Sequence, residues 1–286
     1  MLPFVGISSS DDHSMAIGAD GSLWSWGENL HGELGIDYEW FRFPGQMIGD
    51  WISPVGMGLN WAYVEASNQR SLAMKDDGTI WSWGNDDLER DFIWTSRNRL
   101  PIQPIQIGTD TDWAAIAMAG FPRRSLALKT NGSIWTWGAV STGAWNFETQ
   151  RIADNHEYIA TPVQIDTDTD WVAISIGNRN HIMAIKNDGT LWGWGDNAYG
   201  QIGDGTNIDR HHPVQIGTDT DWVHVTAAWD RTLAMKADGT VWSWGAAALT
   251  GVFGDYNASL IGDGVPGHRN SPVLVLDPSN LPQSRQ

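Results

Sequence analysis

Asp188-Gly189-Thr190-Leu191-Trp192-Gly193-Trp194-Gly195 decides the fold, because close copies of this stretch occur five times along the chain. Its Trp-x-Trp-Gly half recurs at Trp24–Gly27, Trp81–Gly84, Trp135–Gly138, Trp192–Gly195 and Trp242–Gly245, in steps of 57, 54, 57 and 50 residues. Self-similarity at that period marks one supersecondary unit used repeatedly, each copy burying an apolar face that it cannot bury alone. The preceding dipeptide is Asp20-Gly21, Asp77-Gly78, Asn131-Gly132, Asp188-Gly189 and Asp238-Gly239 in turn. Both residue types tolerate the positive φ of a tight hairpin, so a strand is expected on either side. The upstream strands read Met15-Ala16-Ile17, Leu72-Ala73-Met74, Leu126-Ala127-Leu128, Ile182-Met183-Ala184-Ile185 and Leu233-Ala234-Met235. Each opens on an imidazole or a cation: His13, Arg70, Arg124, His181 or Arg231.

Two more strands complete the unit. The first reads Trp61-Ala62-Tyr63-Val64, Trp113-Ala114-Ala115-Ile116, Trp171-Val172-Ala173-Ile174 and Trp222-Val223-His224-Val225. Phe4-Val5-Gly6-Ile7 fills the same slot in the first copy, Phe4 lying nine residues before His13 as Trp61 lies nine before Arg70. The last begins at Pro54-Val55, Pro104-Ile105, Pro162-Val163, Pro213-Val214 and Pro272-Val273. Four short antiparallel strands repeated around an axis describe an all-β fold, a β-propeller of five four-stranded blades. A partial propeller cut from a longer repeat array is the alternative. The expected domain spans 1–277, with repeats at about 4–60, 61–112, 113–170, 171–221 and 222–277, followed by a polar tail at 278–286. A chain in phase with its repeat at both ends favours a closed ring in which the fifth blade packs on the first.

The two tryptophans of each motif share a strand face, since side chains alternate with period two. Trp24, Trp26, Trp81, Trp83, Trp135, Trp137, Trp192, Trp194, Trp242 and Trp244 are therefore read as core. Burying one such ring removes roughly 150–250 Å² from water, worth at most about 4–6 kcal/mol.

Composition narrows the function. Net charge is −17, from 34 acidic and 17 basic residues, which disfavours general nucleic-acid binding. There is no cysteine, which excludes disulfides, thiolate metal sites and cysteine nucleophiles. No apolar run approaches bilayer-spanning length, so no membrane insertion is expected, and no signal peptide is visible after Met1.

These residues resemble the regulator of chromosome condensation repeat family. The fourth repeat fits best, with His181 to Gly195, then Asp196-Asn197-Ala198-Tyr199-Gly200-Gln201-Ile202-Gly203-Asp204-Gly205 and Pro213-Val214. The first keeps Glu28-Asn29-Leu30-His31-Gly32-Glu33-Leu34-Gly35, and the fifth keeps Leu260-Ile261-Gly262-Asp263-Gly264. The phrase Gly-Thr-Asp-Thr-Asp-Trp at 108–113 and 217–222 is similar to bacterial, often surface-exposed members, which implies an extracellular or cell-surface location. Two departures stand out. Family members usually have seven blades, and here Leu88 to Leu100 and Val140 to Ala160 replace the Gly-Gln-Leu-Gly phrase in the second and third repeats. The resemblance implies a propeller; it does not carry the founding member's guanine-nucleotide exchange onto this chain residue by residue.

Aromatic residues outside the repeated slots are the candidate ligand contacts: Trp40, Phe41, Phe43, Trp51, Trp94, Trp145, Phe147 and Trp229. Most fall in variable segments between the third and fourth strands, where rigid scaffolds display recognition loops. The competing reading folds these rings back over the blade edges. The alternating run Asp166-Thr167-Asp168-Thr169-Asp170 offers oxygen ligands, yet it lacks the glycine and bidentate glutamate of a calcium loop and reads as a self-bonded polar turn. Asp204 and Asp263 read likewise. The recurrent His or Arg slot reads as a structural hydrogen bond or ion pair, and His211-His212 lacks further visible metal ligands. No cofactor, metal or catalytic constellation is expected. The leading expectation is a non-enzymatic protein-binding scaffold. A carbohydrate-binding propeller is the alternative, and guanine-nucleotide exchange is a distant third.

Overall fold

The computed structural model describes residues 3–35, 53–54, 58–85, 103–120, 123–141, 145–146, 151–152, 156–247 and 261–280. The chain divides into two compact units, Met1–Thr167 and Asp168–Gln286. The first holds three four-stranded antiparallel sheets, each in sequence order. These are β1 (Phe4–Ser9), β2 (His13–Gly18), β3 (Leu23–Gly27) and β4 (Ser53–Pro54); then β5 (Trp61–Ser67), β6 (Arg70–Lys75), β7 (Ile80–Gly84) and β8 (Ile105–Gln106). The third sheet starts with β9 (Trp113–Met118), β10 (Arg124–Lys129) and β11 (Ile134–Ser141). A two-stranded ribbon, β12 (Trp145–Asn146) and β13 (Arg151–Ile152), precedes its last strand β14 (His156–Gln164).

The second unit holds two sheets of the same order. One is β15 (Trp171–Ile176), β16 (Ile182–Lys186), β17 (Leu191–Gly195) and β18 (Arg210–Gln215); the other is β19 (Trp222–Ala228), β20 (Arg231–Lys236), β21 (Val241–Gly245) and β22 (Arg269–Leu276). Five four-stranded sheets of this connectivity are propeller blades. The third blade differs from expectation. Where the glycine-rich phrase is lost, Gly138 to Ser141 pair with His156 to Ile159, so the ladder runs on instead of breaking into a loop. The segment read as a tail begins with a single 3-10 turn at Pro278–Asn280, held by the Asp277 carboxylate through the amide of Ser279.

One hydrogen-bond relay explains the Asp-Gly turns. In the fourth blade Asp188 Oδ1 accepts from both the amide and the hydroxyl of Thr190, and that hydroxyl accepts the Trp192 indole N–H at 2.8 Å. Asp20, Asp77, Asn131 and Asp238 repeat it toward Trp24, Trp81, Trp135 and Trp242. The first indole of each motif is thereby fixed beside the turn and stays half-buried, while Trp83, Trp137, Trp194 and Trp244 are buried. Trp26 is the exception and is half-buried.

Successive sheets within each unit share cores. In the first unit Met15, Ile17 and Leu23 pack with Trp61, Val64, Ala66 and Trp83; Leu72, Met74 and Ile80 pack with Trp113, Ile116 and Trp137. In the second, Met183, Ile185 and Leu191 pack with Trp222, Val225 and Trp244. Buried polar tethers cross the same seams. His13 Nε2 meets the Ser71 hydroxyl at 2.7 Å, and that hydroxyl donates on to the Glu33 carbonyl at 2.7 Å. His181 Nε2, Thr232 and the Gln201 carbonyl repeat this at 3.1 and 2.8 Å. Arg70 donates to Ser125, whereas Arg124 donates to Thr136 of its own blade. The opening slot of the second strand is thus a structural hydrogen bond, placed to satisfy a polar group that burial would otherwise penalise.

Candidate functional site

Up-down connectivity sorts the loops onto two ends of every blade. The Asp-Gly turns and the linkers between blades lie at one end. The turns between first and second strands, and the variable segments between third and fourth, lie at the other.

The first end is committed to structure. The alternating acidic phrase clamps a lysine, a partner that its own sequence does not name. Lys186 Nζ sits 2.6 Å from Asp168 and 3.1 Å from Asp170, and 4.6 and 4.8 Å from the ring centroids of Trp171 and Trp192. Lys129 and Lys236 make the same arrangement with Asp110 and Asp112, and with Asp219 and Asp221. Burial alone would lower the pKa of Lys186, but its hydrogen bonds to Asp168 and Asp170 outweigh that and raise it. Lys75 lies over Trp61 and Trp81 as well, at 4.9 and 4.7 Å. These carboxylates are engaged by cations of the protein, and among the described residues no group of three or more metal-ligating side chains gathers.

The other end is more varied. In the first unit Asn85 bridges to Gln69 at 2.8 Å and Arg123 donates to both. Asn29 accepts from the Leu34 amide and shapes the loop that receives the Trp83 indole at the Glu33 carbonyl, 2.9 Å away. In the second unit Asn197 plays that role through the Ile202 amide. Asp204 and Asp263 accept from the Thr206 and Val265 amides of their own loops, as expected of such turns, and are also held by Arg210 and Arg269 at 2.6 and 2.7 Å. His211 and His212 stand exposed on β18.

Trp229 lies at this end in the second unit. It is 44% exposed and adopts φ +48 in the turn between β19 and β20. The matching turn of the second blade has Asn68 at φ +40. Asparagine tolerates the left-handed region; a bulky residue there is an outlier. Next to it Asp230 is buried, with Oδ2 at 3.3 Å from Arg179 Nε and Oδ1 without a hydrogen-bond partner. Burial pushes the Asp230 carboxyl up, against the opposing pull of Arg179, His268 and Arg231. The Arg179 guanidinium lies 5.8 Å from the Tyr199 ring, which tilts onto His268 at 5.2 Å. His268 Nδ1 accepts from the Ala247 amide, leaving Nε2 to carry the proton of the neutral ring. Trp229 therefore stands next in sequence to a buried, under-satisfied carboxylate that is linked through Arg179 to Tyr199 and His268.

Of the aromatic contacts expected from sequence, Trp229 is the one whose side chain can be placed. Trp145 lies on β12 with its side chain outside the described residues. Trp40, Phe41, Phe43, Trp51, Trp94 and Phe147 lie outside them entirely. Arg179, Tyr199, Asp230 and His268 were not singled out by sequence, because they come from four loops of two blades and share no spacing. No described helix is long and apolar enough to cross a membrane.

Profiles of the regulator of chromosome condensation (RCC1) repeat match residues 188–235, and 4–33 with 171–201. The ultraviolet-B receptor UVR8 of Arabidopsis thaliana is 27% identical over 231 residues, covering 79% of this chain and 49% of that protein. The probable E3 ubiquitin-protein ligase HERC3 of Homo sapiens is 26% identical over 211 residues, covering 73% of this chain and 19% of that protein. The chain thus spans half or less of the length of these relatives. Among solved structures, Prp20p from Saccharomyces cerevisiae, described with its binding properties to Gsp1p and histones, superposes with a TM-score of 0.71 at 18% identity, covering 99% of this chain and 67% of that one. With the repeat matched by profile over these residues, its strand order matched by a solved propeller and its relays recurring blade by blade, the chain carries RCC1-type repeats on a propeller fold.

Proposed function

We propose that this chain is a non-enzymatic protein-binding scaffold, and that the end of the second unit carrying Trp229 is a contact surface. The observation that carries this reading is the Trp229 turn itself. A large indole occupies a left-handed position that asparagine fills elsewhere, and it is held half in water rather than packed away. Backbone strain of order 1–3 kcal/mol persists where the surroundings over-determine it, and it clusters at functional sites. Tryptophan and arginine are also the commonest binding anchors. Binding properties toward proteins are described for the related propeller Prp20p, and the family frame makes the same use reasonable here. The aromatic segment at Trp40, Phe41 and Phe43 is proposed as an additional contact on the sequence argument above.

The test is affinity capture with the immobilised chain, followed by quantitative comparison with Trp229→Asn, which restores the residue type of the second blade. The expected result is loss of at least tenfold in retention of a specific partner, with Arg179→Gln behaving similarly. Equal retention by wild type and both variants would refute this surface.

A further inference from the structure

We infer that Glu33 is a proton-controlled clasp on the seam between the first two sheets: neutral, it holds the loop that anchors the second sheet, and ionised, it loosens that loop. The loop at 29–35 follows β3 and meets the second sheet at the Glu33 carbonyl. This oxygen accepts the Ser71 hydroxyl of β6 at 2.7 Å and the Trp83 indole N–H of β7 at 2.9 Å. Ser71 and Trp83 are buried, so losing these bonds would leave donors unsatisfied away from water. The backbone at Glu33 is itself shaped by the Glu33 side chain, whose Oε2 accepts the His31 amide at 2.7 Å.

That side chain is poorly placed to carry a charge. Glu33 is completely buried, and its Oε1 has no hydrogen-bond partner. Burial penalises the carboxylate far more than the neutral acid. The charged groups around it add to the penalty. Asp12, from the turn between β1 and β2, and Glu28, just after β3, both oppose a further negative charge. The His31 ring is pushed below its ordinary pKa by burial and by Arg123, so it supplies no compensating cation at neutral pH. Arg70, which opens β6, donates to Ser125, and Arg123 donates to Asn85 and Gln69. Burial raises the Glu33 carboxyl above its ordinary 4.5, against the pull of the Glu33 and His31 amides.

The fourth blade has the same device without the charge. Gln201 stands in the Glu33 position; its Oε1 accepts the Tyr199 amide at 2.9 Å, and its carbonyl accepts the Thr232 hydroxyl at 2.8 Å. Asn29 and Asn197 correspond as well, each accepting the amide five residues on at 3.0 Å. Asn197 ties its loop a second time, because its Nδ2 reaches Asp204 and the carbonyls of Thr206 and Ile208. Asn29 Nδ2 has no partner, and Ile36 follows Gly35 where Asp204 follows Gly203. The first loop therefore depends more heavily on its carboxyl group. Because the folded-state value is raised, the clasp contributes stability below about pH 4.5 that is lost as pH rises through that value.

Hydrogen–deuterium exchange of the whole chain, read by mass spectrometry on peptides covering 29–35 and 71–83, tests this from about pH 4.5 to about pH 8. Glu33→Gln copies the fourth blade and keeps an acceptor for the His31 amide. Dividing wild-type by variant exchange at each pH cancels the intrinsic pH dependence of the exchange reaction. The ratio is expected near one at the acid end and to rise at least about threefold at the alkaline end, with the wild-type melting temperature falling relative to the variant over the same range. Gln201→Glu is the reciprocal variant, expected to create the same rise in peptides covering 197–203 and 232–244. A ratio that does not change with pH, a Glu33→Gln chain that exchanges faster than wild type throughout, or a Gln201→Glu chain with no new pH dependence each overturns the inference. Trp229 lies outside all of these peptides, so failure here leaves the proposed contact surface standing.

Discussion

Gly203→Ala set against Gly217→Ala isolates the seam contact that organises this fold. Both glycines lie in the second unit and both have positive φ, +90 and +66. Both substitutions therefore carry the left-handed penalty of about 1–2 kcal/mol, offset by up to about 1 kcal/mol because alanine restricts the unfolded chain. They differ in surroundings. A Cβ on Gly217 meets nothing within 4 Å, whereas one on Gly203 comes within 2.5 Å of Trp244 Nε1 and 2.9 Å of its Cδ1. Trp244 is wholly buried and cannot swing aside. Overpacking of this kind adds about 1–3 kcal/mol. The expected losses are thus about 1 kcal/mol for Gly217→Ala and about 2–4 kcal/mol for Gly203→Ala. Urea unfolding followed by tryptophan fluorescence reads the difference: with a slope of about 3 kcal/mol per molar, the midpoints fall by about 0.3 and about 1 M. Equal midpoints for the two variants would mean that the Trp244 indole does not seat on the Gly203 loop, and the account of the seam would be wrong.

Two other perturbations have definite signs. Lys186→Met should cost about 1–2 kcal/mol, since it leaves Asp168 and Asp170 facing two indoles without a cation; partial exposure of both carboxylates keeps the loss at this modest level, and thermal melting compared with Asp168→Asn, expected to cost less, reads it. Stability should fall as pH drops from about 6.5 toward 4, because burial holds His13 and His181 at about 4 and the unfolded chain takes up protons that the native state refuses, up to about 3 kcal/mol for each histidine. Glu65 works in the opposite sense: burial raises its carboxyl to about 7, so it contributes stability below about 4.5 that is lost as pH rises through 7. His181→Gln should flatten the measured pH slope between 6.5 and 4, and Glu65→Gln should steepen it.

The sheets were legible because their signals are local and repeated. Asp-Gly at a fixed distance from Trp-x-Trp-Gly leaves one hairpin register, and the observed pairs Ala73↔Trp81 and Ala184↔Trp192 follow it. The extension of the third blade was not legible, since Val140 to Ala160 offers several turn formers, Gly143 and Asp154-Asn155 among them, and none marks where pairing resumes. The lysine partner of the acidic phrase was not legible, because it is distant along the chain. The clue was present: Lys129, Lys186 and Lys236 accompany Asp-x-Asp-Trp, while Lys75 follows Gly58-Leu59-Asn60-Trp61 and shares the aromatic contact. The cluster around Trp229 was half legible. Its indole stood out as an aromatic residue outside the repeat, but Arg179, Tyr199 and His268 converge through folding and leave no periodic trace.

The tethers at His13, Arg70 and His181 have an evolutionary corollary. They fasten neighbouring blades through residues on the strands and at the necks of the loops. The segments joining Gly27 to Ser53, Gly84 to Ile105, Gly195 to Arg210 and Gly245 to Arg269 differ widely in length, yet the same strand pairing flanks each of them. Such a scaffold can exchange one crown for another only if the stretch that carries Glu33 in the first segment, and Gln201 with Gly203 in the third, is kept, which leaves the remainder of each segment as the natural place for transplanting foreign sequences.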